Sequence, residues 1–397
     1  MISSNKILSL LRSIARYTAR IIRLFSQLKR DFKFHLSMRT KTTRPFIGRV
    51  TDQFWLLVNT GISAKEYYMQ ELWNSNLVAI KKHEYLGEFG SYKWQTAVNP
   101  EGYTALLDDK LLFDTILRNA GIATGTTLAI YSKTAPSNNY PVLRDVASLE
   151  KWLIENGEDI FIKPLCGING TGTLSIGKRL SSVQPSWEQL PLKQSISLDA
   201  ILKHICSWRN GEFIIQRRLI PSIETAKFST NVFQTLRIMT LQRDQGVELV
   251  AAALKIGSGR SAVDNLLHGK NMIAAVNLDN GKLGAAVEVV DGEPIWHSKH
   301  PISGMPIEGA QLENINDIKV LVTRVAECLP WFKTVGWDVG LTAEGPLILE
   351  GNYYADVLLI QIAHQKGILS WPQYRAFFNE YNLYQQIGMG FMKPLLK

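Results

Sequence analysis

The chain has 397 residues, 46% of them hydrophobic and 20% charged, which suits two or three folded domains and excludes a disordered or low-complexity protein. Its net charge of +9 is concentrated: residues 1–50 carry twelve Lys and Arg against the single acid Asp31, while the rest carries 32 basic and 34 acidic side chains. The body is therefore slightly acidic, so no nucleic-acid partner is expected; the absence of an uncharged 18-residue apolar run and of paired cysteines among Cys166, Cys206 and Cys328 points to a protein of the reducing cytoplasm without a spanning helix.

In chain order, Ile7, Leu11, Ile14, Ile21, Phe25, Leu28 and Phe32 recur at steps of three and four, with Arg12, Arg16, Arg20 and Arg23 in a second row. This predicts a basic amphipathic helix. Two readings of it stand: residues 1–40 lie on an anionic membrane surface, placing the protein peripherally on its inner face, or the stripe packs on the protein's own body. Residues 51–100 read as short helices. Asp108 to Ala120 reads as a helix closed by Gly121. Thr126 to Tyr131 reads as a strand, Leu149 to Glu155 as a helix, and Asp159 to Pro164 as a short strand ending in Lys163. Ser181 to Ser197 reads as a loop or insertion. Leu198 to Arg209 follows as a helix and Glu212 to Gln216 as a strand. From Thr235 to Val290 the pattern is β-rich, Ile315 to Leu329 is helical, and the last 30 residues look helical.

The strongest chemical signal is Gly336-Trp-Asp338 through Glu350-Gly-Asn352. A turn centred on Glu344 puts Asp338 and Glu350 opposite each other, and Asn352 shares the face of Glu350. Three oxygen donors on one side of an apolar hairpin suit Mg²⁺. The second signal is Lys163 at a strand end followed by Gly167, Gly170, Thr171, Gly172 and Thr173. Glycine loops let backbone N–H groups wrap anionic oxygens, and the lysine adds a point charge. Neither a P-loop nor a dinucleotide fingerprint is present. Lys110 at a helix start and Arg237 inside a strand are candidate phosphate contacts. Asp264-Asn265 reads either as part of a reacting centre or as a turn, and His268 reads as a loop residue or a base.

In their order and spacing these stretches resemble the ATP-grasp superfamily, and most closely the sugar-transfer-associated ATP-grasp family, from about Asp108 to Gln361. The resemblance implies an α+β, ATP-grasp fold: two α/β lobes with ATP between antiparallel sheets, after a helical N-terminal region. After the basic amphipathic segment 1–50, the chain then divides into a helical and mixed region 51–125, an ATP-grasp domain 126–365 divided at 220, and a helical segment 366–397. Lys110 and Lys163 would contact phosphates, with Gly167, Asn169, Gly170, Thr171, Gly172 and Thr173 as a mobile cover. Gln216, Arg217 and Leu219 would form the hinge beside adenine. Arg237, Lys163 and Asn265 would serve the chemistry, and Asp338, Glu350 and Asn352 would bind Mg²⁺. Lys255 stands where relatives often have arginine, and His268-Gly269-Lys270 replaces a frequent glycine pair.

The implied activity is an ATP-dependent ligase that activates a small-molecule or sugar-linked carboxylate as an acyl phosphate for an acceptor, in cell-surface polysaccharide or glycoconjugate biosynthesis. A kinase acting on a hydroxyl, or a non-catalytic nucleotide-binding component of an assembly complex, are the alternatives.

Overall fold

The computed structural model describes residues 22, 25–38, 44–74, 76, 79–136, 140–167, 170–208, 211–228, 232–258, 266 and 271–387. Two seven-stranded sheets dominate it. The first contains β1 (Thr127–Tyr131), β2 (Val142–Leu143), β3 (Ile160–Pro164), β4 (Leu174–Ser181), β5 (Ser186–Leu190), β6 (Gln194–Ser197) and β7 (Phe213–Arg217), in the order β2-β1-β7-β3-β4-β5-β6. All its pairs are antiparallel except β1 with β2. The second contains β8 (Thr235–Arg243), β9 (Gly246–Ile256), β10 (Met272–Val276), β11 (Leu283–Val290), β12 (Glu293–His297), β13 (Thr334–Thr342) and β14 (Gly345–Asn352). It is antiparallel throughout, in the order β12-β11-β10-β9-β8-β13-β14. The segment read as a loop, Ser181 to Ser197, instead supplies β5 and β6. Trp187 is fully buried between them and the helices beneath, an anchor that a mostly polar stretch does not advertise.

Five helices lead in: α1 (25–37), α2 (Phe46–Thr60), α3 (Ala64–Met69), α4 (Ala79–Lys82) and α5 (Glu88–Val98). Short α6 (Ala105–Asp108) precedes α7 (Lys110–Asn119). Asp109 caps α7 by accepting from the Leu111 and Leu112 amides, and Gly121 closes it at φ +62°. α8 (Val146–Asn156) and α9 (Leu198–Ser207) cover one face of the first sheet through Leu149, Leu153, Ile201 and Ile205. α10 (Ile223–Ala226) lies in the connection between the sheets, and α11 (Ile315–Cys328) packs on the second sheet through Ile318, Val322 and Val325. α12 (Val357–His364) and α13 (Pro372–Glu380) cover its opposite face with Ile360, Phe377 and Phe378. Among the described residues no helix is long and apolar enough to cross a membrane.

α7 ties the two sheets together. Leu111 packs with Ile130 and Ile214 of the first sheet, whereas Phe113 and Leu117 join the core of the second. Phe113 stacks on Trp337 at 6.4 Å between centroids. Beside it, the Ile348 amide donates to the Ala123 carbonyl at 2.9 Å, stitching β14 to the chain entering β1.

A charged cleft between the sheets

Strand alternation builds the site. In β3, Ile160 and Ile162 point into the core with α8 and α9, which leaves Phe161 and Lys163 on the other face. Lys163 is half-buried there, and desolvation, followed by repulsion from Lys110, pushes its ammonium down to about 8. Glu350 and Asp114 pull the other way, so Lys163 lies within electrostatic reach of the second sheet. Lys110, the first residue of α7, donates from Nζ to the Gly167 carbonyl at 3.1 Å, and its backbone N–H donates to Leu165.

On the second sheet, β13 and β14 form the acidic hairpin. Asp338 does pair with Glu350, but the turn is not centred on Glu344. Thr342 pairs with Gly345 across a two-residue turn, so regular register would oppose Asp338 to Leu349. An irregularity between Ile348 and Glu350 absorbs one residue and restores the pairing. That extra residue also decides the face. Ile348 is in the core beneath the sheet; strict alternation from it would send Glu350 into the same core. The bulge turns Glu350 to the cleft beside Asp338.

Asp338 is buried and held by cations. Arg237, opposite it on β8, donates Nε to Oδ1 at 2.6 Å and Nη2 to Oδ2 at 3.0 Å. Lys255, on β9, donates Nζ to Oδ2 at 3.0 Å. Burial alone would raise the Asp338 carboxyl, but Arg237 and then Lys255 hold it well below the usual carboxylate range. Glu350 moves the opposite way: burial first, then the neighbouring Asp338 carboxylate, push it up. Asn352 turns Nδ2 towards the Gly336 carbonyl at 3.2 Å and Asp338 Oδ2 at 3.5 Å.

The glycine loop is seated against α9. His204 Nε2 lies 2.9 Å from the Gly172 carbonyl, and Thr173 Oγ1 donates to the Gly170 carbonyl at 2.9 Å. Gly170 and Gly172 have φ of +67° and +76°. A Cβ on Gly172 would stand 2.7 Å from the Trp208 ring, so that position has neither the backbone angle nor the space for a side chain. Asn169 lies outside the described residues, as do Asn265, His268 and Lys270.

Gln216 is buried in β7, with Nε2 directed at Thr127 Oγ1 at 3.3 Å. Arg217 ends the strand, exposed, with its amide bonded to the Thr126 carbonyl. Leu219 lies in the crossing from the first sheet to the second. That crossing docks on the β13–β14 turn: Ser222 N–H donates to Leu341 and Ala343 N–H to Ile220.

The structure thus gathers Lys110, Lys163, Arg237, Asp338, Glu350 and Asn352 around one cleft and sets Gln216 on the same side of the first sheet, whereas Arg217, paired with Ile160, lies on the α8 side and Leu219 in the crossing between the sheets. Lys255 belongs to the same group, although in sequence it stands out only as a departure from the arginine of relatives. A lysine in the apolar run of β9 pairing through Thr235 with β8 is the signal that it faces Arg237 and Asp338.

Several comparisons bear on this arrangement. The family profile described as sugar-transfer associated ATP-grasp matches residues 91–373. No curated protein matches the sequence. Among solved structures, the ATP-grasp ligase PsnB complexed with minimal precursor is 15% identical, with 71% of this chain and 64% of that chain covered and a TM-score of 0.37. The VanG D-Ala:D-Ser ligase from Enterococcus faecalis is 12% identical, covering 68% and 61%, at a TM-score of 0.39. The D-alanyl-alanine synthetase A of Vibrio cholerae is 11% identical, covering 71% and 66%, at 0.40. In the first PsnB match and in the VanG match the chain spans less than two thirds of the length of that ligase.

Proposed function

This chain belongs to the sugar-transfer-associated ATP-grasp family, and from that premise we propose that it is a Mg-ATP-dependent ligase that activates a carboxylate as an acyl phosphate. The observation that carries the reading is the approach of Lys110 and Lys163 to Glu350 across the cleft, which alters the proton affinity of both Lys163 and Glu350. Lys110 and Lys163 bring two ammonium groups together on the first-sheet side of the cleft, where each can meet a phosphate oxygen. That pair suits a triphosphate.

The acidic side fits a divalent cation. Asp338 Oδ1 accepts from Arg237, and a carboxylate oxygen has room for a further contact. Asn352 spends Nδ2 on the protein, leaving Oδ1 as a donor atom for a metal. Glu350 is raised by its carboxylate neighbour, a repulsion that a cation between them would relieve. Asp338, Glu350 and Asn352 would share Mg²⁺ with phosphate oxygens, as that ion prefers. Bound there, the ion supplies charge neutralisation at the transferring phosphoryl group.

In this reading Lys110 and Lys163 hold phosphate oxygens as point charges, and the loop from Gly167 to Thr173 covers them with backbone N–H groups. Arg237 keeps Asp338 ionised and aimed. A substrate carboxylate oxygen attacks the γ-phosphorus, the bond to the β–γ bridging oxygen breaks, and ADP leaves. An amine or other nucleophile then adds to the acyl carbon and inorganic phosphate departs. No Ser-His-Asp or Cys-His set is required. The carboxylate is small or sugar-linked, and the setting is cell-surface polysaccharide or glycoconjugate assembly.

The test is incubation with Mg-ATP, candidate acids and hydroxylamine. Hydroxamate formed in step with ADP supports the ligase. ADP formed with a phosphorylated alcohol and no hydroxamate would make it a kinase, and nucleotide binding without turnover in any extract would make it a binding component.

A further inference from the structure

The inward side of the N-terminal helix α1 carries Gln27, Asp31 and His35 beside Met38 and Phe34, and leaves Phe25, Phe32 and Leu36 to solvent among basic side chains. Asp31 is 4% exposed: Oδ1 accepts from Gln27 Nε2 at 2.7 Å and from the Ala64 amide at 3.0 Å, and Oδ2 accepts from Gln53 Nε2 at 3.1 Å. One turn on, His35 is buried with Nδ1 2.9 Å from the Tyr68 hydroxyl and Nε2 3.3 Å from Gln53 Oε1. These bonds fix the rotation of the helix, because turning the apolar side inward would strand buried polar groups. The outward row is Phe25, Lys29, Phe32 and Leu36, at steps of four, three and four. Phe25 is 67% exposed and Phe32 49%. On α2 the neighbouring row adds Ile47, at 75%, and Trp55. Phe32 meets Phe46 at the start of α2 edge-on at 5.9 Å, so the exposed row of α1 lies beside α2.

We propose that this outward face of α1 and α2 docks on an anionic lipid bilayer. Charge selects that partner. Lys29, Arg30 and Lys33 are exposed on the same helix, and the segment 1–50 that contains it holds twelve of the chain's basic residues against one acid. Aromatic and aliphatic side chains spaced along a helix, with lysines beside them, match an interface where rings enter the acyl boundary and ammonium groups reach lipid phosphates. The surface is also remote from the cleft. Gly292, in the turn between β11 and β12, is packed by the Phe34 ring, so the N-terminal layer sits at the β12 side of the second sheet. β12 is five strand positions from β13, or about 24 Å. Docking therefore leaves the cleft open to soluble substrates.

Sedimentation of the full chain with phosphatidylcholine vesicles, with and without phosphatidylglycerol, tests the proposal. The expected result is binding to the anionic vesicles only, weakened at about 1 M salt, where screening shortens to about 3 Å. Phe25→Ser with Phe32→Ser, and separately Lys29→Glu with Lys33→Glu, should each weaken partitioning by about tenfold or more. Because Phe25, Lys29 and Lys33 are exposed and Phe32 gives up one edge contact with Phe46, these variants should melt close to the parent chain and keep its nucleotide binding. Absence of wild-type binding would overturn the proposal. So would vesicle binding that survives both double variants, or variants that only convert a dimer to a monomer in lipid-free sedimentation, which would assign the face to a second copy.

Discussion

Glu350 and Lys163 set the proton inventory of the cleft at the scale of single residues. Glu350→Gln should lower Mg-ATP-dependent ADP release by about 100-fold or more, since it removes a group placed to counter developing charge, while thermal melting stays near the parent's. Full activity in that variant would remove Glu350 from the metal site. Because burial and Asp338 raise the Glu350 carboxyl, activity should fall on acidification before an ordinary glutamate would protonate. Lys163 titrates from the other side. Its ammonium is lost as pH rises through about 8, so KM for ATP should climb above that pH, and Lys163→Met should flatten the climb while raising KM throughout. Stability moves with the opposite sign. Between about 8 and the ordinary 10.5 the unfolded chain binds the extra proton, so this group makes the free protein more stable as pH rises. Lysines and acids of this kind were legible in the sequence because their flanking glycines and apolar strands are local. Lys255 was not, because its meaning arises only when β9 is laid beside β8.

At the scale of elements, the hairpin β13–β14 shows how a right pairing can follow from a wrong turn. Alternation and chain length bring Asp338 opposite Glu350 whether the loop is three residues or two with a bulge. The difference lies in Leu349, and no local residue type marks it. The same hairpin ties stability to function. Asp338→Ala leaves Arg237 and Lys255 buried without their shared carboxylate. A loss of about 3–5 kcal/mol is expected in chemical denaturation, against near-parental stability for Glu350→Gln. Gly336 lies beneath this pair: a Cβ there would meet the Ala355 Cβ at 2.8 Å and Arg237 Cδ at 3.1 Å. Gly336→Val should cost about 1–3 kcal/mol and lower turnover, because Arg237 must leave Asp338 to make room. A variant with unchanged melting and turnover would show that the strand can shift freely.

Across the whole molecule, the sequence announced two lobes by its motifs, but not which way its first helix turns. Periodicity reveals that an apolar stripe exists; it says nothing of whether the complementary stripe can find better partners inside, as Asp31 and His35 do. The connection docked on the β13–β14 turn and the wedge of α7 make the sheets one unit around the cleft. Mg-ATP at about 100 times its dissociation constant should therefore stabilise the chain by about 2.7 kcal/mol, read as a rise in melting temperature. The bond from Lys110 to the Gly167 carbonyl gives that coupling a direction. The lysine ammonium is bonded there to the residue that opens the glycine loop. Under the proposed function, a phosphate that captures the ammonium would take it from Gly167, so that arrival of the nucleotide and the freeing of that carbonyl would be a single exchange of partners.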